Sequence, residues 1–262
     1  MSSSSIRERR RAGKHLILIV LLAWAWSSSA PAEEASDAAR YHACMSMIDT
    51  DAEAAFDTAI EWQGLGGGSA AKHCVAAALM ALGYFDQAAE RLENLAQDPV
   101  LDGSLKPEIL RQAAQGWLSG GDAERAYAVL TSAIELEPSH SALWLDRGIV
   151  AAEIGLYDDA VTDLSRALTL EPSNPQAWLL RGSAYRMLDK RTEAARDVEE
   201  ALRLDPESPE AYLERGNLRR LEGDDSGARR DWIEVITRAP QSAEADAART
   251  NIERLDLGDG AQ

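Results

Sequence analysis

"WLLRGSAYR", residues 178–186, reads as one helix with a glycine in its middle. Glycine inside a helix costs roughly 1 kcal/mol against alanine, so something other than helix propensity keeps it there. The same residue types at a fixed step in either direction show what. Trp178 has Trp144 before it and Tyr212 after it, Arg181 has Arg147 and Arg215, and Gly182 has Gly148 and Gly216. Further along come Ala160, Ala194 and Ala228, then Leu164, Val198 and Trp232, then Ala167, Ala201 and Val235, and finally Pro172, Pro206 and Pro240. Three units follow, 141–174, 175–208 and 209–242, and a fourth, 107–140, carries Trp117, Gly121, Ala126, Leu130, Ala133 and Pro138. Repetition at such a period is the mark of stacked supersecondary units that bury their apolar faces on one another.

Each unit reads as two helices. Small residues recur where the helices cross closely: Gly148, Gly182 and Gly216 on the first helix, Ala160, Ala194 and Ala228 on the second. Trp or Tyr four residues before each glycine fills the space between units. Gly121, Gly155 and Gly223 mark the turn, with Asp189 standing in once. Pro107, Pro175 and Pro209 suit the first turn of the first helix, where a missing N–H costs nothing. Asp158, Thr192 and Ser226 are expected to cap the second helix. Arg147, Arg181 and Arg215 are each followed sixteen residues later by Asp163, Asp197 and Asp231, and in 107–140 both charges vanish together, replaced by Ala113 and Val129. Such joint presence and absence points to paired groups, within a unit or between neighbours, rather than to an arginine row for a ligand.

The pattern W-x2-[RL]-G, then A-x3-[LVW]-x2-A, then a terminal proline at period 34 resembles the tetratricopeptide repeat family. The likeness is strong over 107–242 and extends in degraded form to 69–102, through Ala76, Gly83, Ala88, Leu92 and Leu95, and to 33–66, through Ala52, Phe56 and Ala59. Residues 103–106 read as a short insertion, 243–256 as a helix capping the last apolar face, and 257–262 as a disordered tail. The resemblance implies an all-α fold, a solenoid of about six helix pairs winding as a right-handed superhelix.

The segment 1–32 is of another kind. A basic start (Arg7, Arg9, Arg10, Arg11, Lys14) leads into the apolar "LILIVLLAWAW" (16–26) and then "SSSAPA". This is the layout of a signal peptide cut after Ala32; the alternative is an uncleaved inner-membrane anchor, although eleven apolar residues fall short of the ~20 that span a bilayer. There is no cysteine near the cut, which argues against a lipid-anchored lipoprotein. The expected location is therefore the periplasm, with no stable membrane insertion after cleavage. The full chain carries a net charge of −17, and loss of 1–32 removes five basic residues and one acid to leave −21. Nucleic acid is excluded as a partner on that charge, since phosphate binding needs a basic face.

Chemistry is sparse. Cys44 and Cys74 fall on the first helices of the first two units, and an even count in an exported chain invites a disulfide. Two buried free thiols, or a metal site with His42 and His73, are the alternatives; His42 and Cys44, two apart on a helix, face opposite ways. His140 lies at a turn with no partner pattern for nucleophilic catalysis. The glycine run 64–68 has no P-loop spacing. Neither an enzyme nor a cofactor is expected.

What remains is surface. In the family it resembles, first helices line a concave groove that holds peptides. By that likeness the groove here contains Arg111, Gln115 and Leu118; Leu145 and Ile149; Leu179, Ser183 and Arg186; Leu213, Asn217 and Arg220. Leu145, Leu179 and Leu213 would anchor apolar side chains, and Arg186 and Arg220 would take carboxylates. The lysine–asparagine set that clamps a C-terminal carboxylate in chaperone-binding relatives is not evident, because Leu213 stands where the lysine would and only Asn217 is kept. The expected function is a periplasmic scaffold holding a peptide or helical segment of another envelope protein. The alternative is an accessory subunit of envelope polymer metabolism that binds glycan or recruits an enzyme.

Overall fold

The computed structural model describes residues 30–258, and side chains from residue 36 onward. Thirteen α-helices occupy the described residues: α1 (Ala30–Ile48), α2 (Ala52–Gly64), α3 (Gly68–Ala81), α4 (Phe85–Ala96), α5 (Lys106–Gly120), α6 (Ala123–Leu136), α7 (Ser141–Glu153), α8 (Tyr157–Leu170), α9 (Pro175–Met187), α10 (Arg191–Leu204), α11 (Pro209–Leu221), α12 (Asp225–Arg238) and α13 (Ala243–Asp256). There is no strand among them. The expected export segment lies outside the described residues except for Ala30–Ala32, which open α1, and residues 259–262 lie outside them too.

Each helix packs on the next in sequence, and odd-numbered helices also touch along the row: α1 on α3, α5 on α7, α7 on α9, α9 on α11, α11 on α13. The result is an α-solenoid of helix hairpins. Its core is correspondingly serial, a run of small apolar clusters each shared by consecutive helices.

The glycine in the opening stretch is explained by its neighbour. A Cβ on Gly182 would sit 2.9 Å from Val198 Cγ2 and 3.2 Å from the Ala194 carbonyl, so only glycine lets α9 lie this close to α10. Gly148 meets Leu164 and Gly216 meets Trp232 in the same way. Packing gained across that contact offsets the intrinsic cost. The hairpin turns pass through the left-handed region at Gly121, Gly155 and Gly223, and Asp189 takes φ 56° at the equivalent place, a conformation that aspartate tolerates better than most side chains.

Two local expectations are corrected. Asp158, Thr192 and Ser226 do not cap: their helices begin at Tyr157, Arg191 and Asp225, so these residues lie in the first turn. There a carboxylate such as Asp158 meets the positive end of the helix dipole instead. The side-chain cap of α12 is Asp224, which accepts from the Gly227 N–H at 2.9 Å, while α8 and α10 have no side-chain cap. Trp117 is not the counterpart of Trp144; that position in 107–140 is Leu110. Trp117 is buried one helical stretch later, where it donates to Glu93 on α4 and carries Arg125 stacked 3.9 Å from its ring.

Candidate docking face on the odd-numbered helices

The arginine row is structural. Arg181 Nε donates to Asp197 Oδ2 at 2.6 Å and Nη2 to Oδ1 at 3.1 Å, while Nη1 reaches back to Ser165 on α8 at 3.0 Å. Arg147 grips Asp163 and Thr131 alike, and Arg215 grips Asp231 and Glu199. One guanidinium thus joins three helices: its own, the second helix of its unit, and the second helix of the unit before. Asp163, Asp197 and Asp231 are buried, and the planar fork satisfies both carboxylate oxygens at once. Trp144, Trp178 and Tyr212 lie against these guanidinium groups at about 5 Å.

The inner face holds two hollows. The first, about 240 Å³, is lined by Arg111, Ala114, Gln115 and Leu118 of α5, Leu130 of α6, and Asp146, Ile149 and Val150 of α7. The second, about 510 Å³, lies between α9 and α11 over Leu179, Leu180, Ser183 and Leu213. Leu145 lines neither hollow and packs instead into the cluster of Ala151, Leu164 and Ala184. Asn217 is spent on the fold, its Oδ1 accepting from Trp232 Nε1 and Asn251 Nδ2.

The arginines named from sequence are already paired. Arg111 binds both oxygens of Glu108 at 2.8 and 2.9 Å and reaches Asp146 at 3.2 Å. These bonds hold the Glu108 carboxyl below its ordinary range and the Arg111 guanidinium above its own, whereas burial pushes Asp146 up. Arg186 Nε lies 2.5 Å from Glu214 Oε1, and Arg220 lies 2.8 Å from Asp225. Sequence reasoning missed Glu214. A contact made once leaves no periodic trace: the equivalent positions one unit before and one unit after are Leu180 and Ala248.

A third space was not foreseen. Where α3 and α5 part, a cavity of about 480 Å³ opens between Tyr41, Ala70 and His73 on one side, Ile109 and Gln112 on the other, and Leu95 of α4 with Val100, Leu101 and Leu105 of the link that follows it. A hydrogen-bonded chain crosses it. Gln112 Nε2 donates to Glu108 at 3.0 Å, which turns Oε1 toward His73 Nε2 at 2.7 Å. Nε2 therefore donates, and Nδ1 accepts the Tyr41 hydroxyl at 2.8 Å in the neutral ring. Burial raises the Tyr41 pKa, which keeps it a donor. Beside this cavity Cys44 and Cys74 are joined in a disulfide with Cα atoms 6.4 Å apart, so the free-thiol and cysteine-metal alternatives fall. Among the described residues no group of three or more His, Cys, Asp or Glu side chains is arranged to hold a metal, and no helix is long and apolar enough to cross a membrane.

Stacked helical hairpins with buried polar pairs and hollows on one face define a repeat solenoid. The chain belongs to the tetratricopeptide repeat family, whose sequence profile matches residues 111–175, 145–197 and 188–243, together just over half of it. Proteins of this family mediate protein–protein interaction, and its repeats are non-catalytic interaction domains. Among solved structures, MamA of Desulfovibrio magneticus RS-1 superposes with a TM-score of 0.60 at 22% identity, covering 67% of this chain and 97% of that one. A MamA double mutant, RS-1 ArsTM, gives 0.59 at 22%, covering 64% and 93%, and a further MamA crystal structure 0.58 at 17%, covering 68% and 96%. At these identities the likeness is one of fold. No curated protein matches the sequence.

Proposed function

We propose that this chain is an exported, non-catalytic scaffold of the periplasm that docks a peptide or helical segment of another envelope protein on its odd-numbered helices. One observation carries the docking: the two inner hollows, both floored by half-buried apolar side chains on those helices. The Arg–Asp pairs tie these helices to the even-numbered ones, and none of their residues lines either hollow. The basic, apolar, A-x-A start of the sequence and the Cys44–Cys74 disulfide support export, since such bonds persist in oxidising compartments.

Site-specific photocrosslinking in cells tests it. A crosslinker at exposed Gln115 or Gln176 on the inner face is expected to trap a protein in the envelope fraction, and one at Arg196 on the outer helix α10 is not. Equal trapping at both faces, or none, overturns the docking. Release of the chain by osmotic shock, with both cysteines refractory to alkylation, is the expected result for export; retention in the cytoplasm with reactive thiols overturns it.

A further inference from the structure

The larger hollow has a composition that the sequence does not advertise. Its floor is apolar, with Leu179 and Leu180 of α9 and Leu213 of α11 half-buried. Its rim is made of carboxylates: Asp205 at the end of α10, Glu210 in the first turn of α11 and Glu244 in the first turn of α13. Glu214 lies deeper and is matched by Arg186. The other three meet no lysine or arginine among the described residues. Asp205 accepts from the Glu207 N–H, Glu210 from the Ser208 hydroxyl, and Glu244 from its own backbone N–H and then from Ser242, which lowers its pKa. These are neutral donors, so the charge itself is left uncancelled. Arg220, on the same helix as Glu210, is turned to Asp225.

From this apolar floor and uncompensated rim we infer that the hollow between α9 and α11 takes a segment bearing an aliphatic or aromatic side chain next to lysine or arginine. The inference rests on the docking reading above and reverses the charge expected from sequence, in which Arg186 and Arg220 received an acid. The apolar side chain covers Leu179 and Leu213. The adjacent cation reaches Asp205, Glu210 or Glu244 in a site from which the segment has displaced water, where charge-assisted hydrogen bonds are strong. An acidic segment meets three like charges there and a chain of net charge −17 around it. The same field speeds approach of a basic partner and weakens with salt.

Selection of a displayed library of random short peptides with the full chain tests the inference. Recovered peptides are expected to pair Leu, Ile, Phe or Trp with Lys or Arg. They are expected to bind about tenfold more weakly to the variant Asp205→Asn, Glu210→Gln, Glu244→Gln, and to weaken on raising salt. These replacements keep the turn and helix-start hydrogen bonding, and thermal unfolding verifies the fold. Neutralising Glu193, Glu222 and Glu253, exposed away from the hollow, should change nothing. Acidic or charge-indifferent peptides, or peptides insensitive to the triple variant, overturn the inference. If such peptides are still lost on Leu213→Asp, the docking reading stands alone; if no peptide is recovered above background, both fall.

Discussion

Between Ser141 and Pro240 one device is used three times. A guanidinium joins three helices through a buried aspartate, and a glycine lets the pair of helices close. Between Asp37 and Leu105 that device is missing, and one-off links take its place. These are the Cys44–Cys74 bond, Tyr41 to His73, Trp62 to Asp37 and Lys72 to Asp98. The contrast teaches that a solenoid needs each interface closed but not closed in one way. A repeated solution is supported by both of its neighbours. A degraded one has fewer equivalent neighbours to lean on, and a covalent bond compensates by limiting the unfolded chain.

Breaking the repeated device should have the largest effect. Asp197→Ala leaves Arg181 buried and unpaired and is expected to cost about 3–5 kcal/mol in denaturant unfolding, whereas replacing Arg181 and Asp197 together by leucine should cost clearly less. If the double change is as harmful as the single one, the pair is more than an interface lock. Next comes the staple. Cys44→Ala with Cys74→Ala opens a loop whose ends are 30 residues apart and is expected to cost about 3–4 kcal/mol. Hydrogen exchange should show the loss in α1–α4, with protection of α9–α12 kept. A uniform loss would erase the distinction between the two regions.

Gly182→Ala should destabilise by about 1–3 kcal/mol although alanine is the better helix former, because Val198 and the Ala194 carbonyl stand in the way. Gly64→Ala in α2 meets nothing within 4 Å and should be neutral or mildly stabilising, measured by the same melts. The smallest effect separates true caps from apparent ones. Ser208 accepts from the Ala211 N–H at 3.1 Å, so Ser208→Ala should cost about 1 kcal/mol, while Thr192→Ala should be close to silent.

These contrasts also mark how far the residues could be read without coordinates. The helix hairpins, the close glycines and the coupling of Arg147, Arg181 and Arg215 to their aspartates were legible, because the hairpin recurs along the chain and the glycine and the pair recur in each of the three units from 141 to 242. The caps were misread by two residues, since several positions near a helix start carry suitable side chains and only the backbone path chooses among them. Of the inner face, Arg111, Gln115, Leu118, Ile149, Leu179, Ser183 and Leu213 do line hollows. Leu145 and Asn217 serve the packing, and Arg186 and Arg220 are claimed by Glu214 and Asp225. The cavity beside His73 had no signal at all, being assembled from α1, α3, the end of α4, α5 and the link between the last two.

By itself, then, the amino-acid sequence determined the period, the helix pairs and the polar lock between them. Those contacts are made again in successive units, the polar lock in three of them, so one physical requirement is written several times in the chain. Only the tertiary structure decided which carboxylate each inner arginine meets, and hence that the hollow between α9 and α11 is rimmed by acid. Such contacts form once, between residues brought together by stacking, and an interaction used once leaves no pattern to read.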